Sequence, residues 1–285
     1  MISKNNIKTL KNKTGVKIIP LMENNLSGDG ITAEHGLCLY IETPHHSILA
    51  DTGQSAKTWD NARQLGIDPA KVDLVFLSHG HYDHTGGLMS FTEINPHAKI
   101  YMKDTASGPY YSMKKDGIRY IGIDPLINQL PQLQLLYGDT RIDDELSVFS
   151  NVSGRRAWPR GNMRLLEKCT ENVNDIKQDQ FQHEQYLVIH VNEEIILISG
   201  CAHKGILNIL DRFRQIYGRN PDLVMSGFHM VRDVYAKEDI AEITQVANEL
   251  HTMDTIFYTG HCTGDVAFQI MKEIMGEQLH HIKDL

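Results

Sequence analysis

The sequence predicts an α/β fold, and two observations carry that expectation. An apolar run of strand length is followed by a histidine and then a helical stretch four times. VDLVFLS leads to His79, EIILISG to Cys201-Ala202-His203, DLVMSG to Phe228-His229 and TIFYTG to His261. In α/β sheets the loops beyond the carboxyl ends of the strands gather at one crevice, so these histidines are expected to converge. The second observation is local density: His79, His81, Asp83 and His84 fall within VDLVFLSHGHYDHTGGL, between an apolar run and two glycines. Imidazole and carboxylate are ligands for zinc and related cations, and core packing has no use for so many. A metal site is expected there.

In chain order, KIIPLM (17–22) reads as a first strand and 24–30 as a polar loop. Glu34-His35-Gly36 precedes the apolar run LCLYIE; the pair could orient groups of the site or mark a solvated turn. SILADTG (47–53) is a strand ending in Asp51, a carboxylate placed to accept from the far nitrogen of a metal-bound histidine, with an Asx turn as the competing role. KTWDNARQLG has helical spacing and a glycine stop, LMSFTEI is helical, and AKIYMK (98–103) is a strand. From 104 to 182 the pattern weakens, which predicts a substrate-side insertion with small elements in a single domain spanning 1–285. Its Tyr110, Tyr111, Lys114, Lys115, Arg155, Arg156 and Arg160 could grip an anionic or aromatic ligand or be solvated loop residues. YLVIHV and EIILISG flank a two-residue Asn-Glu turn, a hairpin signature. Three helices follow, GILNILDRFRQIYG, AKEDIAEITQVANELH and DVAFQIMKEIMG, the last with a Met-rich stripe that reads as core.

Composition narrows the function. A 41% hydrophobic and 22% charged chain of 285 residues is that of a globular protein, with no apolar run long enough to span a bilayer. The basic, polar start has no apolar core of the kind a secretory signal carries, so a cytoplasmic location is expected. A formal charge of −8 argues against nucleic acid as a partner. The scattered Cys38, Cys169, Cys201 and Cys262 form no CxxC pair and point to reduced thiols. His45, His46, His97, His251, His280 and His281 lie in polar surroundings and are expected at the surface.

The run His79-Gly80-His81-Tyr82-Asp83-His84 between a strand and a Gly-Gly helix start resembles the HxHxDH signature of the metallo-β-lactamase fold superfamily. Glu34-His35-Gly36-Leu37, Asp51-Thr52-Gly53-Gln54-Ser55, Gly200-Cys201-Ala202-His203-Lys204-Gly205, Gly227-Phe228-His229 and Gly260-His261-Cys262-Thr263-Gly264 are similar to one subgroup of it. That subgroup is often named after a methanopterin-pathway synthase, 7,8-dihydropterin-6-yl-methyl-4-(β-D-ribofuranosyl)aminobenzene 5′-phosphate synthase. The resemblance implies an αββα sandwich of two mixed β-sheets flanked by helices. It implies two divalent metal ions, zinc first, with iron, manganese or nickel as alternatives. His79, His81 and His203 would hold one, and Asp83, His84 and His261 the other. Much of the superfamily also bridges its metals with a carboxylate from a strand end like the one that here carries Cys201.

The chemistry expected is hydrolysis by a metal-bound hydroxide, on a phosphorylated or other anionic small molecule. Asp83 would ligate and orient the nucleophile, and His229 would donate to developing negative charge. Asp51, Glu34, His35 and Cys201 would stand behind or beside the ligands. The alternatives are a transferase joining a pterin to an aminobenzene ribose phosphate, and a metal-dependent binding protein without turnover. Oligomeric state is left open by the sequence.

Overall fold

The computed structural model describes residues 15–168 and 175–285, so Cys169 and nearly all of the basic amino-terminal stretch lie outside the described residues. Strands β1 (Lys17–Met22), β2 (Cys38–Glu42), β3 (Ser47–Ala50), β4 (Leu74–Phe76) and β5 (Lys99–Lys103) come first, with helices α1 (Lys57–Gln64) and α2 (Leu88–Ile94) among them. A hairpin of β6 (Tyr110–Lys114) and β7 (Gly117–Tyr120) follows, then β8 (Leu133–Leu136), β9 (Thr140–Arg141) and β10 (Leu146–Phe149). After β11 (Leu165–Lys168) and β12 (Ile176–Gln178) come β13 (Tyr186–Val191) and β14 (Glu194–Ile198). The remainder alternates: α3 (Ile206–Tyr217), β15 (Leu223–Met225), α4 (Lys237–His251), β16 (Ile256–Thr259), α5 (Asp265–Met275), β17 (Leu279–His281).

Two mixed sheets face each other. The first has order β1-β2-β3-β4-β5-β8 and the second β17-β16-β15-β14-β13-β10-β9. Ile41, Ile48 and Phe76 of the first meet Leu187, Ile196 and Met225 of the second in one buried cluster. Trp59, Ala62, Leu88 and Phe91 of α1 and α2 cover the outer face of the first sheet, while Leu210, Phe213, Ile243, Val246 and Met271 cover the second. The layers are therefore αββα. Strands with both faces covered need continuous apolar sequence, which LVF of β4 and LVM of β15 provide. Pro20, which cannot donate to a ladder, lies on the edge strand β1. The β13–β14 hairpin closes through Asn192 at φ 57°, a left-handed conformation that asparagine tolerates.

Residues 104–182 divide between two destinations. Strands β8, β9 and β10 extend the two main sheets, whereas β12-β11-β6-β7 form a third, antiparallel sheet of four strands. Tyr110, Ile121, Leu165 and Phe181 make a small core beneath that sheet. At the far end of the chain, β17 pairs in parallel with β16 and buries His281 at 5% exposure, which corrects the surface placement expected for that residue. The polar neighbours that prompted the expectation are the turn residues on either side of a three-residue edge strand. Among the described residues, no helix is long and apolar enough to cross a membrane.

Candidate metal centre

Each strand end at one edge of the sandwich turns sharply into a loop. Asp51, Ala202, His229 and His261, following β3, β14, β15 and β16, have φ of 61°, 53°, 51° and 49°. Non-glycine residues in this region cost about 1–3 kcal/mol each and persist only where the surroundings impose them. These turns aim side chains from both sheets at a common point.

His79, His81 and His203 form the first group, with ligand atoms all within 4.8 Å of one another. All three rings are buried, and the Nε2 atom of each has no hydrogen-bond partner. Buried imidazole nitrogens without partners are costly unless something absent from the chain satisfies them. The neighbours also fix which nitrogen carries the proton. Ser78 Oγ donates to Asp51 Oδ2 at 2.7 Å and so accepts from His79 Nδ1 at 2.8 Å. Asn162 donates its amide to the His203 carbonyl at 2.7 Å, which turns its Oδ1 to accept from His203 Nδ1 at 3.0 Å. Both rings thus present an Nε2 lone pair to the centre. Burial and neighbouring imidazoles hold His79 and His203 well below the ordinary histidine pKa, and burial with His183 takes His81 to about 3. All three rings are neutral at neutral pH.

The second group is Asp83, His84 and His261. Asp83 Oδ2 lies 3.7 Å from His84 Nε2 and 3.3 Å from His261 Nε2, and the two Nε2 atoms are 3.2 Å apart. His84 Nδ1 donates to Asp51 Oδ2 at 2.6 Å and His261 Nδ1 to Asn24 Oδ1 at 2.8 Å, so here too the second nitrogens point inward. For His84, burial opposes protonation, but the Asp51 and Asp83 carboxylates outweigh it and raise the pKa to about 9. Burial likewise pushes Asp83 up, yet His84 and hydrogen bonds from His261 and His35 hold it well below the usual carboxylate range. In the metal-free protein, a proton on His84 offsets the charge of the carboxylates that a cation would otherwise neutralise.

His35 reaches Asp83 Oδ2 at 3.2 Å from the half-exposed rim. Glu34 does not reach the centre, contrary to the sequence expectation: it accepts from Ser55 Oγ at 2.5 Å and pairs with Lys57 Nζ at 3.0 Å. Asp51 receives both His84 and Ser78, and Cys201 Sγ lies 3.2 Å from His84 Nε2. His229 borders the centre, its ring 4.3 Å from that of His203 and its buried Nδ1 without a partner.

Several participants went unread in the sequence. Asn24 and Asn162 set tautomers from loops with no motif. Buried Glu184 accepts the backbone N–H groups of His203 and Lys204 at 2.7 and 2.9 Å. His183, held by Asp179 at 3.0 Å, accepts the Gly80 N–H at 3.0 Å between the two HxH histidines. The nearest signal was the run Asp179 to Gln185 just before β13, which carries Asp, His and Glu in a weakly patterned stretch.

A cavity of ≈ 590 Å³ opens over both groups. Its floor holds His81, Asp83, His203, His229 and His261, and its walls hold Tyr82, Tyr120 and Val231 with Lys114, Arg119, Arg164 and Arg232, alongside Asp233, which lies 3.7 Å from Arg164, while Arg119 pairs with Asp116 and Arg232 with Asp239. Of the basic residues singled out in 104–182, Lys114 faces this cavity. Arg155 instead lies over the Trp158 ring at 4.4 Å, Arg156 pairs with Asp211 at 2.8 Å, and Arg160 pairs with Asp239 at 3.1 Å. The donor set, neutral imidazoles in one group and imidazole with carboxylate in the other, suits borderline divalent cations.

Residues 31–159 match the profile described as the metallo-beta-lactamase superfamily. The chain is 27% identical over 274 residues to the 7,8-dihydropterin-6-methyl-4-(beta-D-ribofuranosyl)-aminobenzene-5′-phosphate synthase of Methanocaldococcus jannaschii, covering 88% of each protein. It is also 27% identical over 276 residues to an uncharacterized protein of the same organism, covering 93% of this chain and 98% of that protein. A crystal structure described as a metal-dependent hydrolase of the beta-lactamase superfamily superposes with a TM-score of 0.74 at 29% identity, covering 93% of this chain and 94% of the other. With an αββα sandwich, an HxHxDH loop at its edge and these likenesses along most of its length, the chain has the metallo-β-lactamase fold, and its residues 31–159 carry the match to that superfamily.

Proposed function

We propose that the protein is a metal-dependent hydrolase acting on a phosphorylated or otherwise anionic small molecule. One observation carries the reading: three buried, unpartnered imidazole nitrogens of His79, His81 and His203 beside the Asp83–His84–His261 group, at the floor of a cavity walled by cations. His79, His81 and His203 would hold one ion, and Asp83, His84 and His261 the second. Bound divalent metals supply Lewis-acid polarisation and lower the pKa of water from ~15.7 towards ~7.

The chain's own residues account for the rest. Asp51, Ser78, Asn162 and Asn24 hold the imidazoles in the tautomers that present Nε2 inward, so the ligand geometry exists before anything binds. Asp83 Oδ2, within 3.7 Å of both His84 and His261, is placed to accept a hydrogen bond from an attacking water and so orient it. His229, on the cavity wall, is placed to donate to the leaving oxygen. Lys114, Arg119, Arg164 and Arg232 attract and orient the anion, and charged donors of this kind are the stronger hydrogen-bond partners.

A transferase joining a pterin to an aminobenzene ribose phosphate is the second reading, favoured by the identity to the synthase across 88% of both chains. The two separate in one experiment with zinc-loaded protein. Hydrolysis of bis(p-nitrophenyl) phosphate, lost in His81→Ala, is expected for the hydrolase. Release of pyrophosphate from a pterin diphosphate only when the aminobenzene ribose phosphate is present, with no hydrolysis of the diester, would overturn it in favour of transfer.

A further inference from the structure

Phe181 combines a strained backbone with a place against one of the histidines of the first group. Its φ is 51°, and a bulky residue in the left-handed region is a genuine outlier that the surroundings must impose. Its side chain is fully buried, and its ring lies flat on the His203 imidazole, with centroids 4.5 Å apart and planes 4° from parallel. The histidine rings around His203 meet it at an angle instead: His79 at 69°, His81 at 81° and His229 at 56°. Asn162 directs the His203 proton, but one ring hydrogen bond leaves the imidazole able to swing about that bond. The stack on Phe181 removes this freedom.

The sequence pins the turn on both sides. Asp179 Oδ1 accepts the Phe181 N–H at 2.6 Å, and the Phe181 carbonyl accepts the Glu184 N–H at 3.2 Å. The other oxygen of Asp179 holds His183, whose Nδ1 accepts the Gly80 N–H. Gln185 donates its backbone N–H to the Ser78 carbonyl and its side-chain amide to the Leu77 carbonyl, both at 2.8 Å. The turn is thus fixed to the run that delivers His79 and His81, while its ring rests on a histidine delivered by the other sheet. A phenylalanine that only filled the small core with Tyr110, Ile121 and Leu165 could do so from an ordinary backbone.

We propose, resting on the metal reading above, that Phe181 is a positioning residue: the strained turn at 179–183 holds the His203 ring in the plane that aims its Nε2 toward the same point as those of His79 and His81. Groups that orient metal ligands from behind typically contribute ~10–100-fold in metal affinity.

The test titrates metal-stripped full-length protein with cobalt(II), read by the visible d–d absorption that reports coordination geometry, beside urea denaturation. Phe181→Leu keeps an apolar side chain but has no flat ring. One of the two cobalt-binding steps is expected to weaken ~10–100-fold with a changed d–d envelope, while the other holds. Phe181→Met, whose flexible chain adapts to the same space, answers the same question if Phe181→Leu does not fold. The control is Trp158→Leu, because Trp158 packs 5.6 Å from Phe181 on the same small core. It should lower the urea midpoint and leave both cobalt steps unchanged. Unaltered cobalt binding in Phe181→Leu overturns the proposal, and so does an equal weakening of both steps or the same loss in Trp158→Leu. Unsubstituted protein that takes up no cobalt removes the metal reading itself, and this proposal with it.

Discussion

The HxHxDH loop at 79–84 and the segment 104–182 face the same cavity, yet they are built in opposite ways. The loop, with the His203 and His261 that meet it, is over-determined, and among its braces Asn162 is lent by 104–182. Asp51 holds His84 and Ser78, Asn162 holds His203, Asn24 holds His261, and Glu184 ties down the backbone at 203 and 204. The cavity-facing part of 104–182 is an exposed hairpin, with all of β7 open to solvent and Arg119 paired with the nearby Asp116. On the proposed reading, the metal-holding groups sit on strand ends braced by buried hydrogen bonds, and substrate recognition falls to a small added sheet. The two regions meet at Gly80, whose N–H is held by His183 and whose missing side chain admits the Ala106 carbonyl.

This contrast predicts graded effects. His81→Ala should abolish binding of one metal and lower turnover by more than ~10²-fold, beyond the ~10–100-fold typical of residues behind the ligands; elemental analysis and kinetics on the same sample check it. Gly80→Ala is expected to cost about 1–3 kcal/mol of stability, as overpacking does, because its Cβ would collide with the Ala106 carbonyl oxygen. Urea denaturation with and without zinc reads that loss, and an unchanged midpoint would break the proposed join between the regions. Asp51→Asn keeps a residue that tolerates the left-handed backbone but removes the charge facing His84. Metal affinity should fall ~10–100-fold with the fold intact, measured by competition with a chelator.

Arg119→Ala tests the opposite region and should move only recognition. An exposed cation contributes about 1 kcal/mol or less, so KM for an anionic substrate should rise up to about fivefold while metal content and kcat hold. A loss of metal in this variant would erase the distinction between the regions.

The smallest effect concerns pH in metal-stripped protein. His84 is raised to about 9 from an ordinary 6.5, so its contribution to stability is complete below about 6.5 and is lost as pH climbs through 9. His81, lowered to about 3, acts in reverse: it stays neutral when folded, and stability falls as pH drops from 6.5 towards 3. Thermal melts should therefore peak near pH 6.5, and His84→Asn should flatten the alkaline side.

The parts of this molecule that sequence reading reached are those where one residue type at one spacing has few alternative uses. The strand-then-histidine repeat is legible because β4, β14, β15 and β16 are short and apolar, and each runs into a loop that carries a histidine. Asp51 was readable for the same reason, being a carboxylate at a strand end. Asn24, Asn162 and His183 were not, because a buried amide or imidazole that serves another side chain looks like any loop residue until the fold brings it there. The third sheet was hidden as well: β7 is exposed on every residue and shows no period-two pattern, so a marginal strand of this kind reads as a loop. Glu34 and His35 show the remaining limit, since adjacency in sequence cannot say which of two polar neighbours turns inward.

The most direct test of the metal centre is elemental analysis of protein purified without chelator, with His79→Ala and His261→Ala beside it. Two divalent ions per chain are expected, falling to one or fewer in either variant. No bound metal, or an unchanged content in both variants, would contradict the assignment of these histidines to a dinuclear site.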